Sequence, residues 1–206
     1  MSTQDDPETD DAGPIARRPP VMERILLGAE HAFAKLGLRD ARVDDILVAA
    51  DVSRRTFYKR YAGKDEVAEA LLVRSVETLI RAVMERAART ASPREQIEAA
   101  VDVYLDLFRE HGRLARDLFV ESQRPGSPLA PTRAKAVERV VSFIVDDVAR
   151  RSGTKLDPLR VTHLLLGLEG LVLSEMLRGD FSAKQAERIK AAVLPLFEDT
   201  LLAKRG

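Results

Sequence analysis

Cysteine and tryptophan are absent from the 206 residues, and aromatic residues make up only 5% of the chain. Without cysteine the chain can form neither disulfides nor thiolate zinc sites, and it has no cysteine nucleophile, which fits a reducing compartment. No run of about 18 apolar residues occurs, so the sequence predicts no transmembrane helix and no membrane partner. The acidic N-terminus lacks the apolar core of a signal peptide, so we expect a cytoplasmic protein.

Common catalytic signatures are also missing. The sequence contains no HExxH, GxSxG, phosphate-binding loop or GxGxxG pattern. Asp102, Asp106 and Glu110 would share one helix face, which could indicate a carboxylate metal site, but no second helix carries a matching carboxylate–histidine pattern. The sequence therefore predicts neither an enzyme nor a cofactor or metal site, and a solvated face explains the three carboxylates.

Charge is balanced over the whole chain but not along it. Lys and Arg number 33, as do Asp and Glu. Residues 1–13 hold five acidic side chains and no basic one, whereas residues 17–64 hold eleven Lys and Arg against six Asp and Glu. We interpret residues 1–20, rich in Asp, Pro, Gly and Thr, as a disordered acidic tail. The basic excess that follows favours a local polyanionic partner.

Apolar residues recur with helical spacing through nearly all of the remaining chain, and no run alternates with a period of two. Glycine and proline cluster between the helical stretches. This pattern predicts an all-α protein of about nine helices. The expected helices cover about residues 21–36, 43–50, 54–60, 64–90, 94–111, 113–123, 130–151, 158–177 and 182–203.

The stretch DVSRRTFYKRY, residues 51–61, is the most informative part of the sequence. Two short helices joined by a three-residue turn form a helix-turn-helix, whose second helix enters the major groove of DNA. Phe57 can pack inward, which leaves the polar residues outside. Arginine can pair with guanine, a threonine methyl can touch thymine, and tyrosine and lysine suit phosphates. A short basic helix can also be simply solvated, so the turn and its flanking helices decide the interpretation.

Residues 25–72 resemble the DNA-binding domain of the TetR family of bacterial transcriptional regulators, through the stretches ILLGAEHAFAKLGL, VDDILVAADVS, RRTFYKRY and GKDEVAEALL. The resemblance implies a helix-turn-helix DNA-binding domain at 21–66, a helical effector-binding and dimerisation domain at 67–206, and a homodimeric repressor on a pseudo-palindromic operator. Asp51 stands where the family often has glycine, and we expect it to tolerate a left-handed backbone. The implied DNA-contacting residues are Arg42, Ser53, Arg54, Arg55, Thr56, Tyr58, Lys59 and Lys64.

The second half contains candidates for binding a small apolar or aromatic effector. Glu169 lies in the apolar stretch HLLLGLEGLVL. A buried, unpaired carboxylate is costly, so Glu169 should have a partner, face a cavity or pair across a dimer interface. The aromatic residues could line a cavity or belong to the core. The candidate effector-binding residues are Tyr104, Phe108, Phe119, Phe143, His163, Glu169 and Met176.

Small residues mark a candidate dimer interface. Gly167, Gly170 and Ser174 fall on one face of a predicted helix, and small side chains allow another helix to approach closely. By resemblance the last two helices form the dimer interface, although the glycines could instead make room for a helix of the same chain. A helical adaptor that binds no DNA, or a carboxylate-metal enzyme, remains the alternative function.

Overall fold

The computed structural model describes residues 19–179 and 181–202, which form an all-helical protein as predicted. Most of the proposed acidic tail lies outside the described residues. Eight helices are assigned in the described part, and no strand occurs there. They are α1 (Val21–Leu36), α2 (Val43–Ala50), α3 (Arg54–Tyr58), α4 (Lys64–Ala87), α5 (Pro93–Gln123), α6 (Leu129–Ser152), α7 (Pro158–Met176) and α8 (Ala183–Leu201).

Helix α5 accounts for the difference between eight helices and the predicted nine. Gly112 lies inside α5 with φ 37° and ψ −108°, which are not helical angles. The positive φ suits glycine, because a Cβ would make this conformation strained. The two helices predicted at 94–111 and 113–123 therefore follow each other directly across a kink, without a loop between them.

The N-terminal helices pack around one apolar core. Phe33, Ile46 and Phe57, from three different helices, are each fully buried. Helices α1 and α2 approach so closely at Gly28 that a Cβ there would lie 2.7 Å from the backbone nitrogen of Ala50. This core extends beyond residue 66, because Val67, Ala68 and Leu71 of α4 also belong to it.

The turn between α2 and α3 is held by side chains from both sides. Asp51 has φ 50° and ψ 54°, which confirms the left-handed backbone expected there. Arg24 of α1 donates from Nε to the carbonyl of Ala50 at 3.2 Å and from Nη2 to the carbonyl of Asp51. Ser53 caps α3, since its Oγ accepts the backbone N–H of Thr56 at 3.1 Å. These bonds fix the direction in which α3 leaves the domain.

A second apolar core lies among α5, α6, α7 and α8. Its buried members include Leu105 and Phe108 of α5 and Val172 of α7. The segment of α5 after the kink belongs to both cores. Its buried residues Leu114 and Leu118 pack in the N-terminal core, whereas Phe119 packs against the second one.

Replacement of Gly28 by alanine should destabilise the N-terminal helices. The added methyl group would overlap the backbone and Cβ of Ala50, both within 2.9 Å, and neither is a flexible side-chain end. We expect a loss of about 1–3 kcal/mol in the free energy of unfolding, measured by denaturant titration at fixed protein concentration.

Gly63→Ala is the matched control. Gly63 has the extended φ of −177°, and a Cβ there would meet no atom within 4 Å. Its effect should stay within about 0.5 kcal/mol. Equal losses in the two variants would contradict the close helix approach at Gly28.

Candidate DNA-binding surface and buried polar cluster

Helix α3 presents a polar surface to solvent. Arg55, Tyr58 and Lys59 are exposed, whereas Phe57 is fully buried and supports the helix from below. The rings of Phe57 and Tyr58 meet edge to face, with centroids 5.3 Å apart. The helix ends at Tyr58, earlier than predicted, so Lys59 and Arg60 lie in the turn that follows it.

The other predicted DNA contacts already have partners within the chain. The guanidinium of Arg54 pairs with the carboxylate of Asp44 on α2. Ser53 Oγ and Thr56 Oγ1 are 2.8 Å apart and hydrogen-bonded, and Thr56 is half-buried. Arg42, in contrast, is exposed at the start of α2. Arg42, Arg55, Tyr58 and Lys59 are therefore the exposed members of the predicted set outside these pairs.

Lys64 forms hydrogen bonds within the chain that the sequence did not indicate. Its ammonium donates to three backbone carbonyls between α1 and α2: Leu38 at 3.0 Å, Arg39 at 2.6 Å and Ala41 at 2.9 Å. A lysine has three N–H donors, so all of them are used. Its predicted contact with a DNA phosphate would require at least one of these bonds to be shared or broken.

A polar cluster lies inside the second core. The guanidinium of Arg133 on α6 pairs with Glu169 on α7 at 2.5 Å, so the carboxylate has the partner that its apolar surroundings required. Arg133 also lies over the ring of Phe119, 5.5 Å from its centroid. Burial raises the pKa of the Glu169 carboxyl above its usual value, and the positive charge of Arg133 partly opposes this shift.

Tyr104 completes this cluster. Its side chain is half-buried, but its hydroxyl is buried and has no hydrogen-bond partner in the described part of the chain. Arg133 Nε is likewise buried and without a partner there. Burial raises the pKa of the Tyr104 hydroxyl well above its usual value, and the nearby charge of Glu169 raises it further. The hydroxyl is therefore protonated and available as a donor.

The remaining effector candidates fall into different environments. Phe108 is buried against Tyr104, with ring centroids 5.1 Å apart, and Phe119 meets Phe108 at 5.9 Å. Met176 is buried in the same core. Phe143 is half-buried but lies outside the apolar cluster, and His163 is exposed on α7. The structure thus brings Tyr104, Phe108, Phe119 and Glu169 together and leaves Phe143 and His163 apart from them.

Arg133 is the cluster member that sequence reasoning did not single out. It lies in the polar stretch PTRAKAVER, where an arginine gives no sign of burial. The only signal was indirect, because Glu169 in an apolar helix required a cationic or hydrogen-bonding partner.

Helix α7 carries an exposed stripe of small and apolar residues. A Cβ added at Gly167 or Gly170 would meet no atom within 4 Å, so no helix of the same chain needs the room that these glycines leave. Ser174 is exposed in line with them. Large apolar side chains of this region are exposed as well, among them Leu166 and Leu171 of α7, Leu177 directly after it and Leu196 of α8.

A polar groove of about 500 Å³ lies beside the N-terminal core, and Leu38, Ala68 and Leu129 of that core line it. Glu121 crosses it, pairing with Arg124 at 2.5 Å and with Arg39 at 3.6 Å. The groove is lined by charged groups already paired with one another, and it does not include Tyr104 or Arg133. It therefore does not extend the buried polar cluster.

Two of the three carboxylates that could have indicated a metal site are paired with cations. Asp102 lies 2.8 Å from the ammonium of Lys190, and Asp106 lies 2.7 Å from the guanidinium of Arg109. Within residues 19–179 and 181–202, no three His, Asp or Glu side chains come together as a metal ion would require. None of the helices described is both long and apolar enough to cross a membrane.

A helix-turn-helix with an exposed basic helix, followed by helices with an apolar core of their own, is an arrangement typical of helix-turn-helix transcriptional regulators. Residues 25–71 match the family model of bacterial regulatory proteins, tetR family. This match identifies residues 25–71 as a domain of that family, and it covers the helix-turn-helix and the start of α4.

Two relatives with assigned functions are both transcriptional regulators rather than enzymes. The HTH-type transcriptional activator FasR of Mycolicibacterium smegmatis is 29% identical over 146 residues, which cover 70% of this chain and 65% of that protein. The HTH-type transcriptional repressor SCO4008 of Streptomyces coelicolor is 29% identical over 145 residues, which cover 69% of this chain and 71% of the repressor. The match to FasR thus spans just under two thirds of that protein.

The fold also resembles a solved structure. The fatty acid degradation regulator FadR from Bacillus halodurans superposes with a TM-score of 0.69 and 17% identity, over 84% of this chain and 97% of that one. At this identity the likeness concerns the fold.

Replacement of Lys64 by methionine should destabilise the fold, because three carbonyls would lose an ammonium donor. We expect a loss of about 1–3 kcal/mol in the free energy of unfolding, measured by denaturant titration. Lys35→Met is the control, since it removes the same charge from an exposed position of α1. Similar stability of the two variants would contradict a structural role for Lys64.

Proposed function

We propose that this chain is a ligand-responsive repressor that binds a pseudo-palindromic DNA operator as a homodimer. The observation that carries this proposal is the exposed surface of α3, held in direction by Arg24 and by the Ser53 cap. DNA as the partner implies action in the cytoplasm. The two relatives include an activator and a repressor, and we propose repression because an operator-bound dimer can block access to a promoter.

Base recognition is assigned to the start of α3. In a helix-turn-helix the N-terminal residues of the second helix reach base edges in the major groove. Arg55 is exposed there and can donate two hydrogen bonds to a guanine. Tyr58 and Lys59, at the other end of the helix, suit phosphate contacts, which position the protein without reading sequence. Arg54 would join them by leaving Asp44.

The proposed dimer forms through α7 and α8. An exposed apolar surface of this extent, with two glycines that nothing in the same chain approaches, is typical of a protein interface. A two-fold dimer would bury the same stripe on both copies. It would also place two α3 helices on one side of the DNA, at half-sites about 34–36 Å apart or a multiple of that distance.

The proposed effector site is the buried polar cluster around Tyr104, Arg133 and Glu169. Phe108 and Phe119 border it, so the effector should be mainly apolar or aromatic, with a small polar group. FadR of Bacillus halodurans, which shares the fold, is named as a regulator of fatty acid degradation. That name is consistent with an apolar effector here.

The segment of α5 after Gly112 provides a physical connection between the effector site and the DNA-binding surface. Phe119 lies in the effector cluster, whereas Arg113 donates to the carbonyls of Lys35 and Leu36 at the end of α1, at 3.3 Å and 3.2 Å. A ligand that displaces this segment would therefore change the position of α1. Regulation requires the ligand to bind one spacing of the two α3 helices better than the other.

Substitutions on α3 should separate base recognition from phosphate binding. Arg55→Ala should lower the preference for operator over a scrambled site by about 1–3 kcal/mol, because it removes a bidentate base contact. Lys59→Gln should weaken both DNAs alike and reduce the slope of log affinity against log salt by about 0.9. Fluorescence anisotropy with DNA from upstream of the gene measures both quantities.

The wild-type protein provides the reference for this experiment. If it shows no specific, salt-sensitive DNA binding, the repressor proposal is wrong, and a helical adaptor becomes the better interpretation. Equal effects of Arg55→Ala on operator and scrambled DNA would contradict only the assignment of Arg55.

The dimer proposal has its own test. Gly170→Arg should convert the dimer to a monomer, because a long charged side chain would enter the close helix approach. Operator affinity should fall with dimerisation, since each monomer reads only a half-site. Sedimentation equilibrium measures the molecular mass, and Ser142→Arg, at an exposed position of α6, is the control. A Gly170→Arg variant that remains dimeric would place the interface elsewhere.

A further inference from the structure

Two hydrogen-bond donors lie unused within one apolar core. The Tyr104 hydroxyl and Arg133 Nε are both buried, and neither finds a partner within the residues described. Buried polar groups in folded proteins nearly always have one, because each unsatisfied group loses its bonds to water. Both donors border one aromatic cluster, since Tyr104 packs on Phe108, Phe108 packs on Phe119, and Arg133 lies over the ring of Phe119. Two buried donors without partners beside one aromatic cluster can both bind an acceptor from outside the chain.

We infer that Tyr104 and Arg133 together bind a carbonyl oxygen of an apolar ligand. A carbonyl oxygen has two lone pairs and can accept from both donors at once, without bringing a donor of its own. This inference rests on the proposed function, since it assigns the chemical class of the proposed effector.

Charge balance favours a neutral carbonyl over a carboxylate. The positive charge of Arg133 is already matched by Glu169, whose carboxylate is 2.5 Å from the guanidinium. A ligand carboxylate would bring a second negative charge beside Glu169 in a low-dielectric site, which is unfavourable. A ligand ammonium would present donors to two groups that are themselves donors. A ketone, ester, thioester or amide avoids both problems.

The surroundings determine the rest of the ligand. Phe108 packs against Tyr104, and Phe119 lies between Phe108 and the guanidinium of Arg133. Atoms attached to the carbonyl carbon therefore meet aromatic rings. Phe108 and Phe119 suit a hydrocarbon chain or an aromatic ring. The only polar recognition we infer is that of the carbonyl oxygen by Tyr104 and Arg133.

Tyr104 is the better of the two donors to test by substitution, because its hydroxyl can be removed alone. Phenylalanine would fill the same space and keep the contact with Phe108, so packing alone does not require the hydroxyl. Arg133, in contrast, also neutralises Glu169, and its loss would leave that carboxylate buried and unpaired. Tyr104→Phe therefore removes one donor and little else. Ser142→Ala, which removes a hydroxyl from an exposed position of α6, is the control.

The experiment compares ligands that share a skeleton and differ in one group. Acetophenone, ethylbenzene, 1-phenylethanol and benzoate form one set, and 2-octanone, octane, 2-octanol and octanoate form an aliphatic set. Affinities for the wild type and both variants are measured by saturation-transfer NMR titration. We expect the ketone of at least one set to bind about tenfold more tightly than its hydrocarbon. Tyr104→Phe should remove that preference and leave hydrocarbon binding unchanged, whereas Ser142→Ala should retain it.

Several results would overturn the inference. These are equal affinity for ketone and hydrocarbon, tightest binding of the alcohol or the carboxylate, a ketone preference that survives Tyr104→Phe, or no binding of any probe at millimolar concentration. A clear drop in the thermal midpoint of ligand-free Tyr104→Phe would also overturn it, because the hydroxyl would then have a structural partner.

A failure of the inference about the ligand can be distinguished from a failure of the repressor proposal. The measurement is the operator affinity of the ligand-free proteins, determined by anisotropy. Normal operator binding without a ketone preference contradicts only the ligand class. A ketone preference without operator binding contradicts the repressor proposal and leaves the ligand class supported.

Discussion

The break in α5 at Gly112 is the constraint on which the arrangement of the two domains depends. A straight helix would keep one face towards one neighbour, but the turn at Gly112 redirects the chain while helix resumes at the next residue. The segment that follows can then place Leu114 and Leu118 in the N-terminal core and Phe119 in the second. One segment of helix therefore belongs to both apolar cores. Side-chain packing against this segment, rather than a flexible linker, sets the position of one core relative to the other.

The sequence predicted the parts of this molecule that depend on local chemistry. Helical periodicity and turn residues are local, and so the all-helical fold and the left-handed turn at Asp51 could be foreseen. The contacts of Lys64 with three carbonyls could not, because they join residues more than twenty positions apart. Arg133 was missed for the same reason, and His163 was grouped with the effector residues although it faces outward.

Lys64 and Tyr104 differ in whether their hydrogen-bond donors find acceptors within the described part of the chain. Every donor of the Lys64 ammonium has a backbone acceptor, so a role in stabilising the fold is sufficient to explain this lysine. The Tyr104 hydroxyl has none within the described residues, although it is more deeply buried. Natural proteins tend to retain such unfavourable groups where function requires them. Both residues would look alike in a sequence, as single polar side chains on otherwise ordinary helices.

The ion pair between Arg54 and Asp44 has a consequence for how the protein searches a genome. Non-operator sites vastly outnumber operators, and a basic helix with every cation free would be held at many of them by phosphate attraction alone. Because Arg54 is already neutralised by Asp44, a DNA site gains from this arginine only if it offers a better partner than a carboxylate. Any contact of Arg54 with DNA, whether to a phosphate or to a guanine edge, must therefore replace its bond to Asp44. In the proposed repressor, the pair would thus reduce the contribution of this arginine to binding at random sequence.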